Sequence, residues 1–292
     1  FEGLSLGAVY SLVAIGLVLI FKATDVLSFA QPALVVVGAG FISYFATQIG
    51  IPFIFAFIIG IILTGILGFI LERTFLRTMV GEPVFSVAVL TIGIDILLRV
   101  ILDNWIGINP KYMGDPFPSY GNFGSFNVGS ITLKYLELAA LVTSLTIIVL
   151  LFIFFRKSKY GVAMRATSLD QEAALAQGIN VGRVFGLVWF IAGLLAAFAG
   201  FFITGGFNML TNTSFISALR ALPAVVIGGL DSIPGAVVGS LIIGLTQAYV
   251  GYYQLNIEMT YNISFGNGFS IVAPYLITVS YTHLTLPTRT RG

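Results

Sequence analysis

The sequence predicts an all-α protein: a polytopic transmembrane helical bundle of about eight or nine membrane segments, one of them broken or re-entrant. The first observation is composition, since 58% of the 292 residues are apolar and only 9% are charged. Soluble domains carry roughly 25% charged residues, so this chain has too few charges to solvate a globular surface. The second observation is that the apolar residues fall into long runs. A helix needs about 20 consecutive apolar residues to cross a bilayer, so these runs predict membrane-spanning helices.

Nine apolar runs predict the membrane segments in chain order. The first six cover residues 3–21, 33–47, 51–71, 83–102, 135–155 and 184–204. The seventh, residues 215–230, is short, contains Arg220 and is bounded by polar residues and by Gly228-Gly229. This pattern predicts a broken or re-entrant helix, which is tolerated at membrane depth where it lines a cavity or is buried in protein. Residues 234–253 predict another span, and the last run, residues 269–279, is too short to cross the hydrocarbon core.

Several function classes are excluded by residues that the sequence lacks. It has no cysteine, which excludes disulfide frameworks, thiolate nucleophiles and Cys-ligated metals, and a single histidine, His283. We expect no metal site, no cofactor and no catalytic residues, because no nucleophile, base or paired carboxylates are placed for chemistry. No basic stripe supports nucleic-acid binding. No Gly-x-x-x-x-Gly-Lys-Ser/Thr motif occurs, so the chain itself is not expected to bind nucleotide phosphates.

The distribution of basic residues predicts the orientation. The connection between the fifth and sixth spans holds five Lys and Arg residues, whereas the one before the fifth span holds two. The positive-inside rule places the loop of residues 156–183 in the cytoplasm, and counting spans backwards places Arg73 and Arg77 there too. The loop of residues 103–134 then faces outward. Its aromatic rings indicate an interfacial belt and lid, or a docking face for an external partner.

The basic loop also predicts a short surface helix. Ser168 followed by Gln171 has the form of a capping box, Asp170 and Glu172 favour the first turn, and Gly178 favours a stop. About nine residues are too few for a helix that is stable alone, so it needs a partner surface. That surface is either the helix's own bundle or a cytoplasmic subunit.

Three stretches carry a family resemblance. Glu172-Ala173-Ala174 followed by Gly178 has the Glu-Ala-Ala-x-x-x-Gly form seen in permease subunits of ABC importers, and residues 163–181 as a whole resemble the loop of the branched-chain amino acid permeases. Residues 3–31 resemble that family's first span and turn, and residues 228–236 resemble its late Gly-Gly-x-x-Ser-x-x-Gly-Ala turn. The resemblance covers residues 3 to about 279. One departure is residues 25–32, where the family's two glycines and its asparagine are replaced.

The resemblance implies a transport subunit, not an enzyme, in the cytoplasmic (inner) membrane of a prokaryote. It implies cytoplasmic ATP-binding subunits, a second permease subunit and an external solute-binding protein as partners, besides membrane lipid, and an amino acid or similar zwitterion as cargo. Contacts to the ATPase are expected from the loop helix and from the late turn: Arg165, Glu172, Ala173, Ala174, Gly178 and Asp231.

Polar residues at breaks in the apolar runs are candidates for the translocation pathway, because helix ends can face a cavity there. They are Ser28, Gln31, Asn208, Thr211, Asn212 and Arg220. Asp95 and Arg99 are four apart in the fourth span, a spacing that favours an intrahelical ion pair. An ion-coupled secondary transporter of small polar solutes, using a buried acid such as Asp95, stays open, as does an ABC permease for urea or amide-like solutes.

The domain organisation follows from these runs. Residues 1–279 are expected to form one transmembrane permease domain. Residues 280–292 are polar and are expected to be a non-native tail that resembles a translated sequencing adapter. This tail holds His283, Arg289 and Arg291 and no acid, so without it the Lys and Arg count falls from 14 to the number of acids, 12.

Overall fold

The computed structural model describes residues 1–79, 82–107, 109–114, 124–128, 131–205, 209–211, 214–264 and 269–285. In those ranges it contains twelve α-helices and one β-hairpin. The helices of the first half are α1 (Glu2–Thr24), α2 (Gln31–Ser43), α3 (Phe53–Leu71), α4 (Val84–Ile106) and α5 (Tyr135–Lys157). Those of the second half are α6 (Lys159–Leu169), α7 (Gln171–Ala176), α8 (Val181–Thr204), α9 (Ser214–Leu219), α10 (Ala221–Gly228), α11 (Ile233–Tyr261) and α12 (Phe269–Thr285).

Six segments within the described residues are long and apolar enough to cross a membrane. They contain α1, α3, α4, α5, α8 and α11. Three further predicted segments are shorter: α2 has 13 residues, α9 and α10 together cover Ser214–Gly228, and α12 has 17 residues. The chain is thus a multi-pass helical membrane protein, and the total of eight or nine membrane segments stays a prediction. Helix α12 continues across the expected start of the tail at residue 280.

Helix α1 is the centre of the bundle. It is buried along most of its length between α2, α5, α8, α10 and α11. Its neighbour α11 runs antiparallel to it, since Gly3 lies next to Leu245 and Gly7 next to Leu241. A Cβ atom on Gly244 would lie 2.3 Å from the Gly7 nitrogen, so a glycine is needed at this crossing. Close approach through small residues is how membrane helices gain packing energy, because apolar side chains gain nothing over lipid.

The seventh predicted segment is a broken helix. Helix α9 ends at Leu219, α10 begins at Ala221, and Arg220 lies between them. Pro223 explains the break, because proline lacks the N–H that would bond to the Leu219 carbonyl and its ring clashes with that carbonyl. The break therefore interrupts an apolar segment at the position of its one charged residue.

A β-hairpin departs from the all-α expectation. Strands β1 (Ser125–Val128) and β2 (Ile131–Lys134) pair antiparallel, with Ser125 opposite Lys134. They lie in the loop before α5, outside the apolar runs, so this segment does not have to form a membrane-spanning helix. Its β-branched residues favour strands.

The two ends of the bundle follow from the chain path. We call the end that carries α6 and α7 the inner end, and the opposite end the outer end. The Gln171 Nε2 atom donates to the Ala23 carbonyl at 3.4 Å, which puts the last turn of α1 at the inner end. The Ser5 hydroxyl donates to the Glu137 carbonyl at 3.0 Å, which puts the first turns of α1 and α5 together at the outer end. Since α11 is antiparallel to α1, the turn before it, with Asp231, lies at the inner end.

Candidate functional site

A cavity of about 760 Å³ lies between α1, α5, α8, α9 and α11 in the outer part of the bundle. Its lining includes Glu2 and Glu137, in the first turns of α1 and α5, and Gly205, directly after α8. It also includes Tyr10, which lies about 12 Å further along α1 at 1.5 Å per residue. This volume is in the range of small-molecule sites, about 300–1,000 Å³. The cavity thus reaches from the outer end toward the middle of the bundle.

Three polar side chains from distant parts of the sequence, Tyr10, Arg220 and Gln247, meet in the lining of this cavity, and we call this cluster the floor. The Tyr10 hydroxyl donates to Gln247 Oε1 at 3.0 Å. Arg220 Nη1 lies 3.5 Å from the same hydroxyl oxygen. Tyr10 is only 1% exposed, so its hydroxyl needs these partners. The floor combines one cation with two neutral groups that can each donate a hydrogen bond.

The Arg220 guanidinium has no acidic partner within the part of the chain that the structure describes, where the ion pairs are Glu72–Arg77, Asp95–Arg99 and Lys134–Glu137. Its Nε atom is buried and has no hydrogen-bond partner. The residue as a whole is half-buried, and a charge that is partly removed from water without a counter-charge carries a desolvation cost. The two acids that line the cavity, Glu2 and Glu137, lie at its outer end, and Glu137 is engaged by Lys134 at 3.0 Å.

The candidate pathway residues are divided by the structure. Thr211 and Arg220 line the cavity. Ser28 and Gln31 are buried and are not part of its lining, and Gln31 Nε2 donates to the Ala192 carbonyl in α8 at 3.2 Å. Asn208 and Asn212 lie outside the described residues. Tyr10 and Gln247 were missed by sequence reasoning, although each is a polar residue in an apolar run, which is the signal that could have found them.

Asp95 and Arg99 form an ion pair within α4. Arg99 Nη2 lies 2.5 Å from Asp95 Oδ2, and the Arg99 guanidinium stacks 4.1 Å over the Phe215 ring of α9. A cation over an aromatic face is attracted by the ring's quadrupole. The pair therefore connects α4 to α9, the first half of the broken helix. None of these three residues lines the cavity.

Helix α7 is a six-residue helix at the inner end, shorter than the nine residues expected. Its N-cap is Asp170, whose Oδ1 accepts from the Ala173 N–H at 2.9 Å. The predicted Ser168 cap is wrong: Ser168 lies in the last turn of α6 and donates to the Arg165 carbonyl. Gly178 is the stop, with a φ of +80°, and the Ile179 and Gly178 N–H groups close a Schellman motif on Ala174 and Leu175.

The outer surface of α7 is exposed. Glu172 and Ala173 face solvent, while Ala174 is buried against the bundle. Next to it, Leu169 is 88% exposed and Leu175 57% exposed. These two exposed leucines lie on either side of Glu172 in one short segment, and exposed apolar residues grouped in this way are typical of an interaction site.

The other expected coupling residues differ from one another in setting. Arg165 donates from Nη1 to the Phe155 carbonyl and so ties α6 to the end of α5. Asp231 is exposed in the turn between α10 and α11, at the same end as α7. Ser232 beside it caps α11 by accepting from the Gly235 N–H at 3.0 Å. Arg165 therefore has a role within the bundle, whereas Asp231 is available to a partner.

Glu72 and Arg77 form a contact that sequence reasoning did not find. The Arg77 guanidinium donates to both Glu72 carboxylate oxygens, at 3.1 and 2.9 Å, and to the Gly182 carbonyl at 2.6 Å. Gly182 is in the first turn of α8, directly after α7. This ion pair connects the end of α3 to the segment that carries the exposed helix.

Comparisons with known proteins agree along nearly the whole chain. The family described as "Branched-chain amino acid transport system / permease component" matches residues 1–267. The high-affinity branched-chain amino acid transport system permease protein BraD of Pseudomonas aeruginosa is 26% identical over 85% of this chain and 84% of its own length. LivH of Escherichia coli, with the same description, is 28% identical over 87% and 85%. The galactose/methyl galactoside import permease MglC of Haemophilus influenzae is 32% identical, over 47% of this chain and 39% of its own. The chain belongs to the family of permease components of branched-chain amino acid transport systems.

Proposed function

We propose that this chain is a permease subunit of an ABC importer that moves branched-chain or related amino acids inward across the cytoplasmic membrane of a prokaryote. The energy comes from ATP hydrolysis on separate cytoplasmic subunits. Family membership and the descriptions of BraD and LivH support this function. One arrangement carries the proposal. The broken helix runs from the cavity floor at Arg220 to the turn of residues 229–232 at the inner end, where α7 also lies.

The cavity is the route by which the solute enters. It faces the outer end, where an external solute-binding protein delivers its cargo. At about 760 Å³ it has room for an amino acid with bound water. For the solute to pass, α9, α10 and their neighbours have to move, and the break at Arg220 lets the two halves move separately.

Helix α7 is the place where the ATP-binding subunits act. A six-residue helix held by a cap at each end keeps its shape when a partner pushes on it, although alone it would be unstable. Glu172, Ala173 and the exposed Leu169 and Leu175 supply the docking surface, and Asp231 supplies a second contact. The Arg77 bonds to Glu72 and Gly182 carry the displacement from this loop to α3.

Uptake by proteoliposomes tests this function. The chain is reconstituted with its second permease subunit, ATP-binding subunits and solute-binding protein, with radiolabelled L-leucine outside and ATP inside. We expect uptake that requires ATP and the binding protein and that persists when ionophores collapse proton and sodium gradients. Uptake driven by an ion gradient without ATP-binding subunits would instead identify a secondary transporter. Uptake of urea in preference to leucine would identify the amide-type permease.

A further inference from the structure

We propose that Arg220 is a carboxylate receptor within this chain, so that the permease itself selects for a carboxylate, in addition to any selection by the solute-binding protein. This inference rests on the proposed function, because it names the group of the solute that the cavity recognises. It is supported by the position of Arg220, its missing partner and the donors that surround it.

The first step is position. Arg220 lines the cavity and lies in the break between α9 and α10, where the helix is already interrupted. An ionisable side chain in a membrane segment is expensive to keep and marks function by default. Here the cation lines a cavity large enough for a solute.

The second step is the missing counter-charge. In the described ranges, no carboxylate lies within 4.0 Å of the Arg220 guanidinium, and its Nε atom is buried without a partner. Arg99 is the contrast: the same residue type in another membrane segment is paired with Asp95. A half-buried arginine without an acidic partner gains most from an anion that offers two oxygens in the plane of its guanidinium group, which a carboxylate does.

The third step is the set of neighbouring donors. The Tyr10 hydroxyl, 3.5 Å from Arg220 Nη1, can turn from Gln247 Oε1 to an incoming oxygen. The Gln247 amide nitrogen is a further donor, whether or not the amide oxygen accepts from Tyr10. Ser217 lines the cavity three residues before Arg220, one turn back along α9. The floor thus offers a cation and neutral donors, which is the arrangement that binds an oxyanion.

Two acids, Glu2 and Glu137, also line the cavity. Neither forms an ion pair with Arg220 among the described residues, and Glu137 is paired with Lys134 at 3.0 Å. When the carboxylate of a zwitterion binds Arg220, these acids are available within the same cavity to lower the cost of its ammonium charge.

Direct binding to the purified chain in nanodiscs tests the proposal, with radiolabelled L-leucine as the probe and L-leucinamide as competitor. Leucinamide keeps the side chain and the ammonium group but lacks the carboxylate. For the wild-type chain we expect leucine to bind at least about 10-fold more tightly than leucinamide, the effect of one charge-assisted hydrogen bond. In Arg220→Gln we expect leucine affinity to fall by about 10-fold or more, with leucinamide affinity unchanged. Arg220→Lys should be intermediate, because the charge remains but the planar fork is lost.

Arg99→Lys is the matched control, since it changes a membrane arginine that already has a partner, and leucine binding should not change. Leucine binding by Arg220→Gln at wild-type affinity, equal affinity of the wild type for leucine and leucinamide, or no leucine binding to the wild-type chain would each overturn the proposal. If Arg220→Gln does not fold, Arg220→Lys and the wild-type preference decide. Failure of the proposed function can be distinguished from failure of this inference. In the first case, the complete wild-type transporter shows no ATP-dependent uptake.

Discussion

Arg77 holds the carboxylate of Glu72 with two hydrogen bonds and donates a third to the Gly182 carbonyl, 105 residues further along the chain. Glu72 is 1% exposed, so its charge is removed from water and depends on this partner. The pair joins the end of α3 to the start of α8. It thereby fixes the segment that presents α7 at the inner end of the bundle.

Removing the arginine should destabilise the protein. In Arg77→Ala, Glu72 stays buried without a partner, and we expect a loss of about 1–3 kcal/mol in the free energy of unfolding. The loss is smaller than for a fully buried pair, because the Arg77 side chain is 37% exposed. Thermal unfolding in detergent measures it. Arg73→Ala, at an exposed position four residues earlier, is the control and should change stability by less than about 0.5 kcal/mol. Equal effects of the two changes would refute the assigned role.

The crossing of α1 and α11 should not tolerate an added methyl group. In Gly244→Ala the new Cβ would lie 2.3 Å from the Gly7 nitrogen, so the helices have to separate, at a cost of about 1–3 kcal/mol. Gly93→Ala in α4 is the matched control, because no atom lies within 4 Å of its new Cβ. That change should be neutral or stabilising, since alanine has the higher helix propensity. Loss of the difference between the two variants in thermal unfolding would contradict the packing described.

The cap of α7 should be Asp170. In Asp170→Ala the Ala173 N–H loses its acceptor, and the helix should lose about 1 kcal/mol of local stability. Hydrogen exchange of the amides of α7 measures this directly, and these amides should exchange faster. Ser168→Ala should leave their exchange unchanged, because its hydroxyl bonds back to Arg165 within α6. Faster exchange in Ser168→Ala alone would restore the capping box as the determinant.

Much of the fold could be predicted because it depends on local pattern. The apolar runs anticipated the long helices, Gly178 anticipated the stop of α7, and the polar interruption at Arg220 anticipated the broken helix. The Ser168 error has a local cause too. Ser168 and Asp170 can both cap a helix, but α6 continues through Ser168 to Leu169, so that Asp170 is the residue between α6 and α7 and caps the second helix.

The site was less predictable because it depends on tertiary contact. Tyr10, Arg220 and Gln247 come from three helices, and no spacing rule brings them together. The Arg77 contact to Gly182 is equally remote in sequence. Polar residues at breaks were a partial guide only. Thr211 and Arg220 line the cavity, whereas Gln31 satisfies its amide on the α8 backbone elsewhere.

The most direct measurement of the proposed coupling to ATP hydrolysis is a cross-link from α7. The chain contains no cysteine, so Ala173→Cys adds a single, exposed thiol to the helix, and a maleimide cross-linker can join it to a cysteine on the ATP-binding subunit. In the reconstituted transporter we expect this cross-link to form and to block ATP-dependent leucine uptake. Thr146→Cys, exposed on the membrane-spanning α5, should form none. A transporter that imports leucine at the full ATP-dependent rate while Ala173→Cys never cross-links to the ATP-binding subunit would contradict the proposed coupling through α7.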